Sequence, residues 1–255
     1  FEEKDYDLTV EMMKKIGDLG LLGVNVDQNY GGLGMDFVST MLVCDYISGS
    51  SGSLATAYGA HTGIAILPIY LYGNEEQKNE YLPKLTSGEW FGSYCLTEPT
   101  AGSDANSGKT KAELSEDGTH YLISGHKIWI SNAGFANLFI VFARIEDDKN
   151  LTGFIVPNDP NNGIKLSEEE KKLGIHSSST RQVFFEKTKV PIENLLGERN
   201  GGFKIAMNAL NVGRIKLGAG NLDGQRRVIS GAVDYANNRV QFKQPISNFD
   251  SIKEK

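Results

Sequence analysis

With 255 residues, 40% of them apolar, the chain is long enough for one large domain or for two or three small ones around a buried core. Its 26 Lys and Arg against 32 Asp and Glu leave a net charge of −6. That balance argues against a nucleic-acid backbone or an anionic membrane as partner, and for a small organic ligand or another protein. The longest apolar stretches, such as Leu138 to Ala143 and Ile64 to Tyr72, fall short of the roughly 20 residues that cross a bilayer, so no transmembrane segment is expected.

The opening FEEKDYD is acidic and lacks an initiator Met, which predicts that the numbering starts inside a longer chain with no signal peptide in view. Two cysteines, Cys44 and Cys95, without a CxxC, fit a reducing compartment. The four histidines show neither HxxxH nor HExxH spacing, so no metal site is expected.

From Tyr6 to about Gly88 apolar residues recur at three and four. Leu8, Met12, Ile16 and Leu19 share one helical face, and Phe37, Met41, Leu42 and Tyr46 share another. NYGGLGMD, residues 29–36, lacks both the GxGxxG order and a Walker lysine and reads as a tight connection. Pro68 and Gly73 are expected to break one helix. Asn74 caps the next, EEQKNEYLPKL, which Gly88 ends.

From Phe91 the period changes to two. GSYCLT, KTKAEL, HYLISG, HKIWIS, LFIVFARI, TGFIVP and QVFFEKTKV, bounded by Gly, Asp, Asn and Pro, predict an antiparallel sheet closed as a barrel or sandwich. Helix returns after Gly202, with FKIAMNAL as one helix and residues 213–239 as a long second one; the final SIKEK also reads as helical. Gly218, Gly220, Gly224 and Gly231 each cost that helix about 1 kcal/mol against Ala. Close packing of another helix or of a ligand is the expected compensation. The expected fold class is therefore α+β: an N-terminal helical domain (1–90), a middle β domain (91–200) and the first helices of a C-terminal helical bundle (201–255).

Three stretches carry chemistry. YCLTEPTAGSD, residues 94–104, ends a strand in hydroxyl and acidic groups; HKIWISNAG, residues 126–134, places Trp129 and Ser131 on a second strand; and NVGR, residues 211–214, opens the long helix. By themselves Trp129 reads as a core indole, Thr97 as a strand-end hydroxyl, Ser103 as half of a Ser-Asp turn and Arg214 as an ion-pair partner.

In order and wording these stretches, with YGNEEQKNEYLPKLTSGEW, EKKLGIHSSSTRQVFFEKTKVPIENLLGE, GGFKIAMNALNVGR and NRVQFKQPISNF between and after them, resemble the acyl-CoA dehydrogenase family over about Asp7 to Phe249, closest to its very-long-chain branch. The resemblance implies FAD as cofactor, held by Tyr94, Cys95, Leu96, Thr97, Gly102, Ser103, Trp129, Ile130 and Ser131. Trp129 would lie against the ring, and Ser131 would bond N5. Ser103, Asn211 and Arg214 would contact acyl-CoA. Arg239, Gln241 and Phe242 would reach the flavin of a neighbouring subunit, which implies a homodimer or homotetramer. Lys243 stands where the family usually has Gly.

The implied reaction is α,β-dehydrogenation of acyl-CoA, of long chains, to trans-2-enoyl-CoA in fatty-acid β-oxidation, with electrons passed to an electron-transferring flavoprotein. It needs a carboxylate base. Gly213 occupies the position where a minority of the family carries that acid, and Glu98 reads as a surface or hydrogen-bonded carboxylate, so the base is expected beyond Lys255 and these residues alone are expected to be inactive. An acyl-CoA oxidase using oxygen and a non-catalytic flavin and acyl-CoA scaffold are the alternatives. The implied location is a bacterial cytoplasm or a mitochondrial matrix. Gly59, Ala60, Gly63 and Ala65 leave room either for a long acyl tail or for helix packing.

Overall fold

A computed structural model describes residues 3–255. Asp5 accepts the Leu8 N–H at 2.8 Å and starts α1 (Tyr6–Asp18). The face that α1 buries is Thr9, Met13 and Gly17; Leu8, Met12 and Ile16 only flank it, and Leu19 is exposed. The cause is a close approach, since a Cβ on Gly17 would lie 2.3 Å from the Ser87 carbonyl oxygen, so this edge of the helix must face inward. The 29–36 loop folds back on residues 23–26 through main-chain bonds such as Leu33 N–H to Gly23 O, and Gly32 sits against the Val26 carbonyl with no room for a side chain.

The second helix, α2 (Phe37–Ser50), also turns differently from its apolar periodicity. Phe37, Leu42 and Tyr46 are exposed, while Thr40, Cys44 and Asp45 face in. Small and polar groups carry this contact: Gly220 approaches Ser48, and Asp45 accepts both Arg226 and the Asp223 N–H, at 2.7 and 2.6 Å.

Residues 52–72 form one continuous helical rod. It comprises α3 (Gly52–Gly59), a π-helical stretch (Ala60–Ile66) and α4 (Leu67–Tyr72), and it ends at Gly73. Pro68 does not break it, because Pro68 falls within the first turn after the widened π stretch, where a missing N–H is tolerated. By length and composition this 21-residue rod is apolar enough to span a bilayer, but 67% of the apolar window is buried in protein, as in a core helix. Asn74 and Gln77 form a reciprocal capping box that starts α5 (Glu75–Ser87), and Gly88 closes it at φ 79°.

His61 joins the helical layer to the sheet. Its Nε2 donates to Leu85 O at 2.9 Å, and its Nδ1 accepts the Gly92 N–H at 3.0 Å. Complete burial pushes the imidazole down to about 4, so it stays neutral and can play both roles. Gly92 is required here, since a Cβ would lie 2.5 Å from that of Ala65.

The sheet comprises β1 (Gly92–Cys95), β2 (Lys111–Leu114), β3 (His120–Ser131), β4 (Leu138–Ile145), β5 (Thr152–Pro157), β6 (Ile164–Leu166), β7 (Thr180–Pro191) and β8 (Leu195–Leu196). HYLISG and HKIWIS are one strand, β3. The order is β6-β7-β3-β2-β4-β5-β8, with β1 paired to β4. It is not wholly antiparallel, because both β1 and β2 run parallel to β4. Phe139, Val141 and Phe154 pack with Val183 and Phe185 into one core, while Ile140, Phe142 and Ile155 face the helices.

A buried ion pair fastens β1 to β3. The three protons of the Lys127 ammonium meet three acceptors: Glu98 Oε1 (2.7 Å), Phe142 O (2.7 Å) and Leu96 O (3.2 Å). Glu98 also accepts the Lys109 and Thr110 N–H groups and the Thr110 hydroxyl. It is thus a hydrogen-bonded carboxylate, in the interior and not at the surface. Burial raises the Glu98 pKa, but Lys127 and the donor groups outweigh that and hold it below the usual carboxylate range.

After β8, α6 (Gly202–Gly220) and α7 (Leu222–Asn238) meet at Asn221, so the helix boundary falls there and not before Gly213. Of the four glycines in this stretch only Gly220 has a close neighbour; Gly218, Gly224 and Gly231 meet nothing within 4 Å. A hairpin of β9 (Val240–Gln241) and β10 (Gln244–Pro245) follows, and α8 (Asp250–Lys253) comes after it. The hairpin turn keeps both central residues at positive φ, Phe242 at 51° and Lys243 at 64°, the form a two-residue hairpin favours, although neither residue is glycine.

Lys127→Met leaves the Glu98 carboxylate buried without its cation and should lower unfolding free energy by about 3–5 kcal/mol in urea titrations. Because the folded Glu98 pKa is depressed, its stabilisation is present above the ordinary carboxylate range and is lost as pH falls below it. Glu98→Gln should remove that acid limb from the stability profile.

Candidate functional site

Strands β1 and β3 are tied at both ends and parted between. Ser93 Oγ donates to Ser131 O at 2.7 Å, and the Ile128 N–H donates to Thr97 O at 2.9 Å. Pairing of β3 with β7 slips between Lys127 and Ile130, and in that bulge Trp129 adopts φ 57°. A bulky residue in the left-handed region is a strained exception. Its effect is to hold the indole out of the sheet, 65% exposed, so Trp129 is not a core residue.

The indole overlooks a cavity of about 200 Å³ walled by Tyr94, Leu96, Thr97, Ile130, Ser131 and Leu210. The structure therefore brings six of the flavin candidates together. Tyr94 is anchored by its hydroxyl to Ala206 O at 3.2 Å, and burial pushes its phenol pKa up. Cys95 lies between two of these wall residues but points the other way into the sheet core, where burial raises its thiol pKa; only its main chain belongs to this edge.

Gly102 and Ser103 are exposed in the turn after the Glu98–Ala101 bridge and line neither cavity. Arg239, Gln241 and Phe242 also line neither cavity, and Phe242 stands 87% exposed at the hairpin tip.

A second cavity, of about 920 Å³, meets the first at Ile64, Ser131 and Leu210. It runs between α3 with its π-helical continuation and the α6–α7 pair. Gly59 and Ala60 line it; Gly63 and Ala65 do not, the former lying over Lys216 and the latter against Gly92. Small residues on this rod thus serve both cavity and packing. Gly213 and Arg214 also line the cavity; Arg214 Nη1 donates to Asn211 Oδ1 at 2.6 Å, while Asn211 itself is exposed outside it.

Ile64, Leu210 and Lys216 are wall residues that motif reading passes over. A signal for the α6 pair existed: Leu210, Gly213, Leu217, Gly220 and Gly224 recur at three and four, and Lys216 stands on the same stripe.

An exposed aromatic face, flanking apolar walls and two hydroxyls at the rim satisfy what a planar heteroaromatic ring needs. The open, mainly aliphatic cavity beside them suits a flexible chain. Glu98 lines neither cavity, and its carboxylate is fully engaged.

Comparisons with known proteins identify a family. Residues 1–89, 93–188 and 200–255 match, in turn, the family descriptions "Acyl-CoA dehydrogenase, N-terminal domain", "middle domain" and "C-terminal domain". The "Probable acyl-CoA dehydrogenase" of Bacillus subtilis (strain 168) is 48% identical over 255 residues, which are 100% of this chain and 42% of that protein. "Very long-chain specific acyl-CoA dehydrogenase, mitochondrial" of Homo sapiens is 41% identical over 246 residues, 93% of this chain and 37% of that protein. An acyl-CoA dehydrogenase from Bacillus anthracis, crystallised in complex with FAD, superposes with a TM-score of 0.94 at 49% identity, covering 98% of this chain and 43% of that one. The chain thus spans less than half the length of these relatives. Helical layer, β domain and trailing helices follow one family's domain order from end to end, and the chain belongs to the acyl-CoA dehydrogenase family.

Proposed function

We propose that this chain supplies the flavin and acyl-thioester sites of an FAD-dependent acyl-CoA dehydrogenase that converts long-chain acyl-CoA to trans-2-enoyl-CoA in fatty-acid β-oxidation. The observation that carries the reading is the junction of the two cavities at Ser131, beside an indole held outward by strained backbone. When bound, FAD supplies the acceptor for the hydride that leaves the acyl Cβ.

Trp129 covers one side of the ring site, Tyr94, Leu96 and Ile130 supply its apolar wall, and the Thr97 and Ser131 hydroxyls bond its polar rim. Ser103 and Gly102, with their exposed turn amides, receive phosphate or thioester oxygen. Arg214 and Asn211 hold the thioester at the mouth of the larger cavity, and its aliphatic interior excludes water from the chain.

Proton abstraction at Cα falls to a glutamate beyond Lys255. Gly213 has no side chain to offer, and Glu98 is committed to Lys127. The protruding hairpin with Arg239, Gln241 and Phe242 serves the flavin of a neighbouring subunit in a homodimer or homotetramer. An electron-transferring flavoprotein takes the electrons, in a bacterial cytoplasm or a mitochondrial matrix.

Anaerobic mixing with long-chain acyl-CoA should bleach the flavin absorbance of the full-length protein and leave that of the 255-residue chain unchanged; bleaching of the short chain at the full-length rate would refute the placement of the base. Reoxidation by an electron-transferring flavoprotein but not by air separates the dehydrogenase from an oxidase.

Trp129→Gly relieves the left-handed backbone and should stabilise the flavin-free protein by about 1 kcal/mol while weakening FAD binding at least tenfold. Unfolding curves and flavin titration read the two opposite effects.

A Cβ on Gly59 meets nothing within 4 Å, so Gly59→Leu should fold and fill the cavity. The ratio of kcat/KM for long against short acyl-CoA should fall at least tenfold, about what a blocked hydrophobic stretch costs.

A further inference from the structure

Among the described residues Lys216 is a buried amine without an acid partner. It sits on α6 with 7% of its surface exposed and lines the larger cavity. Among the described residues the charge partner that acts on it is the Cys44 thiol, and no carboxylate does. Its Nζ donates to Thr62 Oγ1 at 3.0 Å, and Thr62 spends its own proton on Tyr58 O at 2.9 Å. The Tyr58 ring lies 6.0 Å away. Lys127, also buried, has three acceptors, one of them a glutamate; Lys216 has one hydroxyl.

Such a group retains unused hydrogen-bonding capacity in a wall whose other polar side chains include Ser48, Thr56, Asn221 and Gln225 but, apart from Arg214, no second cation. Burial pushes its pKa down, which favours an amine that both donates and accepts. Nothing it touches requires a lysine, since Thr62 already has an acceptor for its proton and a methionine would fill the same length.

Its position along the cavity indicates what it meets. Leu210 marks the junction with the ring site, and Lys216 lies six positions further along α6, about 9 Å at the helical rise. The cavity then continues along the same side to Val228 and Ile229. A chain that starts at the junction therefore passes Lys216 about seven or eight bonds out and still has apolar wall ahead of it. A terminal carboxylate at Lys216 would leave that far stretch unfilled.

We propose that Lys216, held in place by Thr62 behind the cavity wall, forms a polar subsite that hydrogen-bonds a hydroxyl in the middle of the acyl chain, so that the enzyme prefers mid-chain-oxygenated acyl thioesters to plain alkyl ones. This rests on the acyl-CoA reading above. It assigns a chemical class of substrate to the cavity, with the remainder of the chain running on over Val228 and Ile229.

The test is titration calorimetry on the full-length, FAD-loaded protein with non-reacting thioether analogues of acyl-CoA: palmitoyl-length plain, palmitoyl-length with a hydroxyl at about C9, and a dicarboxylic analogue ending near the same carbon. The hydroxylated analogue should bind about tenfold more tightly than the plain one, one good buried hydrogen bond. Lys216→Met should erase that ratio, and Thr62→Val should reduce it while the amine remains. Flavin content and thermal midpoint report whether each variant folds; if Lys216→Met does not, Thr62→Val decides.

Equal affinities in the wild type, or a ratio that survives both variants, would overturn the subsite. So would tightest binding of the dicarboxylic analogue. If plain chains bind and bleach the flavin while the hydroxyl adds nothing, only the subsite falls. If no analogue binds and no acyl-CoA bleaches the flavin, the dehydrogenase reading falls with it.

Discussion

The Lys127–Glu98 pair is the constraint on which the site geometry depends. Isolated charges are expensive to bury, and an ion pair offsets that cost only when its remaining protons and lone pairs are also met. Here every ammonium proton has an acceptor, and the carboxylate collects two amides and a hydroxyl besides. Full satisfaction leaves no second arrangement of comparable energy. Glu98 follows Thr97 directly and Lys127 precedes Trp129 by two residues, so the pair sets the spacing of the two residues that define the ring site. The bulge can then hold Trp129 outward, because the strand on its N-terminal side is pinned from the interior.

A second fastening sets the cavity beside that site. Neutral His61 bonds α5 and β1 at once, and Gly92 lets the helical rod approach β1 to a distance no other residue would allow. The π-helical stretch that carries His61 also carries Thr62 and Ile64. Ile64 stands at the junction of both cavities, and Thr62 holds Lys216. Widening a helix by one residue per turn shifts which side chains face which neighbour. In one stretch it turns His61 toward the sheet, Ile64 toward the junction and Thr62 toward α6.

Features governed by short-range chemistry were legible from the residues alone. Asn74 announces a helix cap, Gly88 a helix stop, and the alternation from Phe91 onward a sheet. Features that depend on which face is pressed against a neighbour were not. The inward side of α2 is Thr40, Cys44 and Asp45 because its neighbour is a glycine-bearing helix and an Arg226 guanidinium, neither visible in the periodicity of α2 itself. Nothing in the local sequence marks Lys127 or Lys216 as buried, since burial of a cation is decided by partners distant in sequence. Trp129 shows the same limit in the other direction: it occurs in an alternating strand as a core indole would, and only a register slip against β7 turns it outward.

Three of the places where local rules of good packing fail in this fold are the left-handed Trp129, the lysine without an acid and the open glycines of α6 and α7. Two of the three border the joined cavities. Trp129 stands over the small one, Lys216 lines the large one, and Gly213 and Gly224 open its wall, whereas Gly218 and Gly231 face empty space with no compensating contact. Strain, unmet polarity and missing side chains each cost stability, and here they adjoin satisfied networks that can offset that cost. The rigid part of the site is the ion-paired strand couple. The adaptable part is the glycine-rich helix opposite it, which has room for a chain and one polar group with capacity left to select it.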